Sequence, residues 1–385
     1  MKHAISKTAA ILLALTLFVT MLCSCGTNPA PTEPATQPTE APTQAPTTEP
    51  AEESKPVSAH EGEWSFTDSL GRTVSFEGPL TKVAPSGKMA QQVVYAVAPD
   101  TIIGLSGKLS DSEKTYFPEN FSELPVFGTF YGKKANFNRE SVLSAGPQVV
   151  IDVGTVKKNM EEDLNTLQEQ LGIPVIFIKA DLTHMGDAFR TLGDLLDAPE
   201  QGIVLADYCE KVLSETAGYA AQIPEDQKKT VYYGLMDTGL TTAAQGDLHA
   251  EVIDLVGGVN VVPSDIGHSF VDVDMERILA WDPDVILLAP FSVYDTAADD
   301  EVWNQLRAIQ QGSFYEIPAG PYNWMDQPPA ANRILGLRWL GNLLYPEVFD
   351  YDMIPETQEY YNLFYHVELT AEEAHALMEN STYKN

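Results

Sequence analysis

The sequence predicts an α/β protein of two lobes, each built on a parallel central sheet, joined by a rigid bridge of long helices. Three observations predict this fold. Short apolar runs alternate with helical segments before residue 183, the same alternation resumes after residue 223, and the segment between them has apolar residues only at helical spacing. We therefore place the first lobe at residues 61–182, the bridge at 183–223, the second lobe at 224–350 and a helical tail at 351–385.

The first lobe contains a strand, a helix and a second strand in succession. Residues 149–151 and 175–178 are short apolar runs, as expected of strands buried on both faces. Between them the apolar residues recur at helical spacing and a glycine follows: Met160, Leu164, Leu167, Leu171 and Gly172. This order predicts a parallel crossover. The second lobe repeats the pattern, with apolar runs at 231–233 and 285–288.

The bridge is predicted to consist of two helices. Its first apolar stripe is formed by Met185, Phe189, Leu192 and Leu196. Pro199 is placed to open a second helix at its first turn, where its missing N–H is not needed. We expect such a bridge to act as a rigid spacer, whereas a pair of crossing strands would form a flexible hinge.

The amino terminus predicts secretion. Residues 1–24 combine basic residues with an apolar run that is too short to span a bilayer comfortably, as in a signal peptide. Leu22 and Ser24 precede Cys25 in a pattern that resembles the lipobox of bacterial lipoproteins. The resemblance implies that Cys25 carries a lipid and anchors the chain at the extracellular face of the cell membrane. An ordinary cleaved signal peptide is the alternative.

Residues 25–60 are expected to form a tether between the anchor and the folded lobes. Prolines recur every few residues among Thr, Ala, Gln and Glu, and the segment has no apolar face that could stabilise a fold. A Pro-rich chain extends by about 3 Å per residue, so this segment could reach roughly 100 Å.

Composition and motifs exclude several function classes. The formal net charge is −32 and the pI is about 4.4, which makes nucleic acid and anionic membrane surfaces unsuitable partners. The sequence lacks the nucleophile elbow of hydrolases, the zinc-protease motif, the P-loop and the dinucleotide fingerprint. We therefore expect neither enzymatic activity nor a cofactor. Cys209, the only cysteine after Cys25, is expected to fill the core.

Several segments resemble a known family. They are residues 66–74 (FTDSLGRTV), 138–143 (NRESVL) with 147–150 (PQVV), 251–260 (EVIDLVGGVN), and 273–279 (VDMERIL) with 281–286 (WDPDVI). In this order they are similar to the substrate-binding proteins of ABC importers for iron–siderophores, haem and cobalamin. The resemblance implies a class III periplasmic-binding-protein fold with a single helical bridge, a small-molecule solute, and an ABC transporter permease dimer as partner. We expect a monomer.

Two glutamates occupy matching places in the two lobes. Glu140 and Glu276 each lie two residues after a capping side chain, in the first turn of a predicted helix. In the family, one acid from each lobe pairs with arginines of the permease. The resemblance therefore implies that Glu140 and Glu276 dock the protein on its permease. The alternative is that both are ordinary acids of a helix first turn.

The solute is expected between the lobes, where loops from the strand ends converge. Aromatic residues on a stiff loop with flanking prolines suit a bulky apolar ligand, which draws attention to residues 321–326. The candidate solute contacts of both lobes are Ser86, Lys88, Tyr131, Asp237, Tyr294, Tyr322, Asn323, Trp324 and Met325.

Several solutes use this scaffold. An iron chelate (siderophore or haem) or a corrinoid is expected first. The candidate loops contain few arginines besides Arg333, which disfavours anionic catecholate siderophores. The alternatives are a molybdate- or tungstate-type oxyanion, and free Zn or Mn held by His249 and Glu251 with His268 nearby. A passive surface adhesin would suit the tether but leaves the paired glutamates unexplained.

Overall fold

The computed structural model describes residues 59–382 of the chain. The predicted signal peptide, the anchor at Cys25 and the tether up to residue 58 lie outside the described residues. Within residues 59–382, none of the helices combines the length and the apolar character needed to cross a membrane.

The first lobe opens with an antiparallel hairpin and continues into a parallel sheet. The sheet has the strand order β3-β4-β5, and all of its pairs are parallel. Three helices accompany it. The elements are β1 Glu63–Thr67, β2 Thr73–Glu77, β3 Val83–Pro85, β4 Val149–Gly154 and β5 Val175–Lys179, with α1 Lys88–Val97, α2 Arg139–Ala145 and α3 Met160–Leu171.

The crossover predicted for this lobe is confirmed. Every residue of β4 is buried, as a strand covered on both faces must be. The four apolar residues that predicted α3 are its buried residues, and Gly172 ends the helix in a left-handed conformation with φ of 63°. The periodicity of the sequence thus gives both the element and its buried face.

The bridge consists of α4 Met185–Leu195 and α5 Pro199–Ala220. The two helices approach closely where Gly193 faces Gly202, since a Cβ on either glycine would lie 2.8 Å from the other's Cα. Pro199 stands in the first turn of α5, as predicted. Cys209 is fully buried on the same helix, and burial raises the pKa of its thiol, so it is core filler as expected.

The second lobe is built on a four-stranded parallel sheet of order β11-β10-β6-β8, with a separate antiparallel pair, β7 and β9. Its strands are β6 Thr230–Gly234, β7 Thr241–Ala243, β8 Val259–Asn260, β9 Phe270–Asp272, β10 Val285–Leu288 and β11 Phe314–Glu316. Its helices are α6 Glu251–Leu255, α7 Met275–Trp281, α8 Arg307–Gln310 and α9 Asn332–Leu344.

The C-terminal segment returns across both lobes. It contains α10 Met353–Tyr365 and α11 Ala371–Ala376. Tyr365 contacts α1 of the first lobe, where its hydroxyl accepts a hydrogen bond of 2.9 Å from Gln92. Past α11, the carbonyl of Asn380 accepts from the backbone N–H of Glu316 at 3.0 Å, so the chain covers edge strand β11 of the second sheet.

One continuous apolar core includes residues of the first lobe, the bridge, the second lobe and α10. Together with the two parallel sheets, it confirms the predicted α/β fold with a helical bridge.

Candidate functional site

Two cavities lie where loops at the carboxyl ends of the two sheets face each other. The larger cavity has a volume of about 850 Å³ and the smaller cavity about 660 Å³. Each is walled by residues from both sides of the bridge, and Lys88, in the first turn of α1, lines both. Parallel α/β sheets bind ligands at such places, because their loops converge beyond the carboxyl ends of the strands.

The first-lobe wall of the smaller cavity carries polar residues at the ends of three adjacent strands. Ser86 follows β3, Asp152 lies near the end of β4, and Asp181 follows β5. The Ser86 hydroxyl donates a hydrogen bond to Asp152, whose pKa is raised by burial. Partial burial acts to raise the pKa of Asp181, but hydrogen bonds from His184, Thr183 and Lys179 lower it to about 2. Asp181 is therefore ionised at neutral pH.

The opposite wall of the smaller cavity is organised around Arg333. This side chain is 1% exposed, forms an ion pair with Glu251, and donates to the carbonyls of Leu248 and Pro329, both at 2.9 Å. Burial raises the pKa of Glu251 and opposes the effect of Arg333. The guanidinium is thus anchored by protein groups.

His249 on the same wall is also engaged by the protein. Its Nδ1 lies 2.9 Å from each carboxylate oxygen of Asp326, which is fully buried. Glu251 is occupied by Arg333. Within residues 59–382, no three or more His, Cys, Asp or Glu side chains are grouped so that they could hold a metal ion.

The larger cavity has an acidic wall. Its charged residues are one lysine and five carboxylates, namely Lys88 and Glu113, Asp237, Glu316, Glu373 and Glu379. The Lys88 ammonium lies 3.8 Å from Glu113 and 5.8 Å from the centre of the Tyr322 ring. The charge on this wall favours a neutral or cationic ligand.

Three parts of the chain meet at one edge of the larger cavity. A Cβ on Gly320 would lie 2.6 Å from the Tyr116 hydroxyl and 2.8 Å from Cδ2 of Leu377. Tyr116 belongs to the first lobe, Gly320 to a second-lobe loop and Leu377 to the C-terminal segment, and all three line the cavity. The C-terminal segment is therefore a wall of the site.

Six of the nine predicted solute contacts line a cavity. They are Ser86 and Tyr131 in the smaller cavity, Lys88 in both, and Asp237, Tyr322 and Asn323 in the larger one. The Tyr131 ring carries the Lys157 ammonium 4.4 Å from its centre, and burial raises the pKa of the Tyr131 hydroxyl.

The other three predicted contacts line neither cavity: Trp324, Met325 and Tyr294. Trp324 is 1% exposed and its indole N–H donates to the Tyr361 hydroxyl at 3.3 Å. The loop lies directly against α9 at Gly336, where a Cβ would overlap the Trp324 carbonyl oxygen. Met325 is buried beside it, and Tyr294 packs 5.5 Å from Phe314 in the second lobe.

Several cavity residues were not predicted. The sequence could have indicated Asp152 and Asp181, because each follows an apolar run that predicts a parallel strand. No sequence pattern indicates Tyr116, Leu377 or Glu379, because they meet at the cavity only through the return of the C-terminal segment.

Glu140 and Glu276 occupy matching local structures. Each lies in the first turn of a seven-residue helix, α2 or α7, and each is exposed. The Asn138 side chain accepts from the N–H of Ser141 at 3.1 Å, and Asp274 accepts from that of Arg277 at 2.9 Å. The capped first turns predicted for both glutamates are therefore confirmed.

Known proteins share this architecture. The family model described as "Periplasmic binding protein" matches residues 90–321. The vitamin B12-binding protein of Salmonella choleraesuis (strain SC-B67) is 25% identical over 231 residues, which cover 59% of this chain and 79% of that protein.

Solved structures agree with the family match. An ABC transporter solute binding protein from Sulfurospirillum deleyianum superposes with a TM-score of 0.76 at 28% identity, over 82% of this chain and 99% of the other. The molybdate-bound MolA of Haemophilus influenzae has a TM-score of 0.62 at 21% identity, over 80% and 99% of the two chains.

The fold and the cleft between its lobes define a class III substrate-binding protein of ABC transporters, of the siderophore, haem and vitamin B12 group. The chain belongs to the periplasmic binding protein family. Proteins of this family bind a small-molecule substrate outside the cytoplasm for an ABC permease, and they are not enzymes.

Proposed function

We propose that this chain captures an iron chelate or a corrinoid between its lobes and delivers it to the permease dimer of an ABC importer. The size of the larger cavity, about 850 Å³, carries the proposal. One water takes up about 30 Å³ of liquid, so the four oxygens of a tetrahedral oxyanion need on the order of 100 Å³. The cavity instead matches an organic ligand, whose sites commonly measure about 300–1,000 Å³.

The charge of the larger cavity limits which classes of solute can bind there. Five carboxylates against one lysine disfavour an anionic chelate, because like charges would meet inside a partly desolvated cleft. A neutral or cationic solute fits this wall. The likeness to a vitamin B12-binding protein supports a corrinoid in particular.

A molybdate- or tungstate-type oxyanion is the second candidate. The observation in its favour is the smaller cavity, which is lined by Lys88, Lys157 and Arg333. Three carboxylates, those of Asp152, Asp181 and Glu251, line the same cavity and oppose an anion there.

A thermal-shift screen of the purified protein tests the proposal. A ligand that binds only the folded state at 100 times its dissociation constant stabilises the protein by about 2.7 kcal/mol. We expect a shift with cyanocobalamin or with a ferric chelate. A shift with molybdate alone would establish the second candidate, and no shift with any of these solutes would refute the proposed function.

We also propose that Cys25 bears a lipid and is the protein's sole attachment to the membrane, at its extracellular face. The pattern of Leu22 and Ser24 before Cys25 supports this. Cys25→Ser is expected to abolish labelling with palmitate. The variant protein should either be released into the medium or keep its signal peptide. Continued labelling of this variant would assign the lipid to another residue.

Docking on the permease is assigned to Glu140 and Glu276. Their exposure and their matched positions in the first turns of α2 and α7 support it. The acidic surface supports no nucleic-acid partner, and the protein is proposed to act as a monomer.

A further inference from the structure

Positive φ angles outside glycine fall into two groups in residues 59–382. Eight residues have them, and four stand at or beside helix ends, where a left-handed residue commonly terminates or precedes a helix: Asn159, Asp197, Asp282 and His366. The other four line the two cavities: Met236, Ser269, Phe291 and Gln327. Unfavourable backbone conformations that lack a helix-end explanation are concentrated at ligand sites in proteins.

Phe291 is the clearest case. The N–H of Ser292 donates to the carbonyl of Ala289 at 3.2 Å, which closes a turn with Pro290 and Phe291 at its centre. Proline followed by a residue of positive φ, here 64°, matches a type II turn, whose third position favours glycine or asparagine. The turn holds a phenylalanine there instead, and the side chain is 94% exposed.

Met236 lies at the same edge of the sheet and shares two features with Phe291, a positive φ and an exposed side chain. It has a φ of 59° and its side chain is 47% exposed. It follows β6 and Phe291 follows β10, and these neighbouring parallel strands are paired with Gly234 opposite Leu288. Both residues therefore lie at the same carboxyl edge of the sheet, and both line the larger cavity.

We propose that Met236 and Phe291 form an apolar clamp, which holds the broad apolar face of a macrocyclic solute, such as a corrinoid, in the larger cavity. This deepens the proposed function and rests on it. An aromatic ring offers a large rigid face for stacking, and a methionine thioether adapts to an irregular surface. Tyr116, Tyr322 and Leu377 wall the same cavity, so a solute held by the clamp would have apolar groups around it.

Binding of cyanocobalamin to the purified protein, measured by calorimetry beside the thermal midpoint, tests the clamp. Phe291→Ala is expected to weaken binding at least tenfold, and Met236→Ala to weaken it several-fold. Neither should lower the midpoint, because both side chains are exposed. Phe291→Gly should lose affinity and raise the midpoint, since glycine accepts the positive φ. Leu143→Ala is the matched control, because Leu143 is 47% exposed on α2, outside both cavities.

The outcomes separate the clamp from the proposed function. If cyanocobalamin or ferrioxamine B binds the wild-type protein and the Phe291 and Met236 variants equally well, the clamp is overturned and the proposed function stands. If Phe291→Ala lowers the thermal midpoint as well as the affinity, the side chain is structural and the clamp is again overturned. If the wild-type protein binds neither cyanocobalamin nor any ferric chelate, haem included, the clamp falls together with the proposed function.

Discussion

Trp324 and Phe291 belong to the same lobe and have opposite surroundings. Trp324 is 1% exposed and packs against α10, whereas Phe291 is 94% exposed at the larger cavity. Both follow a strand of the second sheet within a loop that contains proline. Residue type and local sequence favoured Trp324 as the solute contact, but the close approach of α9 at Gly336 turns that loop into the core.

Trp324→Ala is therefore expected to affect stability. Truncating a buried aromatic residue leaves a cavity and costs about 3–5 kcal/mol of the free energy of unfolding. Denaturant unfolding of the variant measures this loss, and Phe291→Ala serves as the exposed control. Unchanged stability combined with lost solute binding would restore Trp324 to the binding site.

At the scale of elements, the bridge and the C-terminal segment restrict motion of the lobes. The bridge helices are in close contact at Gly193 and Gly202. The C-terminal segment adds a second connection, because α10 packs on α1 while Asn380 pairs with β11. A large hinge rotation would have to break the continuous core that these elements share.

Small-angle scattering should therefore change little when the solute binds. We expect the curves of the free and the solute-saturated protein to superimpose, with solute saturation checked by calorimetry on the same sample. A clear decrease in the radius of gyration would show domain closure about a flexible hinge and would contradict this account of the bridge.

The elements that sequence patterns predicted are those with a periodic apolar stripe, as in α3, or a continuous buried apolar run, as in β4 and β5. Helix α3 and strands β4 and β5 follow directly from apolar spacing, and so does the parallel crossover that they form. The return of α10 and α11 across the lobes was not predictable, because it depends on contacts between residues far apart in the chain, such as Gln92 with Tyr365. The positive φ of Phe291 was not predictable for a different reason. A turn position that favours glycine contains phenylalanine here, so residue type gives no indication of the backbone conformation.

At the scale of the whole molecule, the proposed solute site and the proposed docking residues lie on different parts of the surface. The cavities lie between the lobes, whereas Glu140 and Glu276 are exposed in the first turns of α2 and α7 and line neither cavity. Substitutions on the two surfaces are therefore expected to separate solute affinity from uptake.

The double variant Glu140→Ala, Glu276→Ala is expected to slow uptake strongly in cells and to leave solute affinity unchanged. Each substitution would leave a permease arginine without its partner, and the effect is largest where the pair is desolvated. Glu276→Lys should slow uptake more than Glu276→Ala, because a lysine would then face a permease arginine of like charge. Glu169→Ala, at an exposed position of α3, is the control. Normal uptake by the double variant would make both glutamates ordinary first-turn residues.

The central claim is that a bulky solute occupies the larger cavity, and a crystal structure of the protein with the solute found by the thermal-shift screen tests it directly. We expect electron density for a macrocycle between Phe291 and Met236 on one side and Tyr116 and Leu377 on the other. Density for the solute confined to the smaller cavity beside Arg333, or lying outside both cavities, would contradict it.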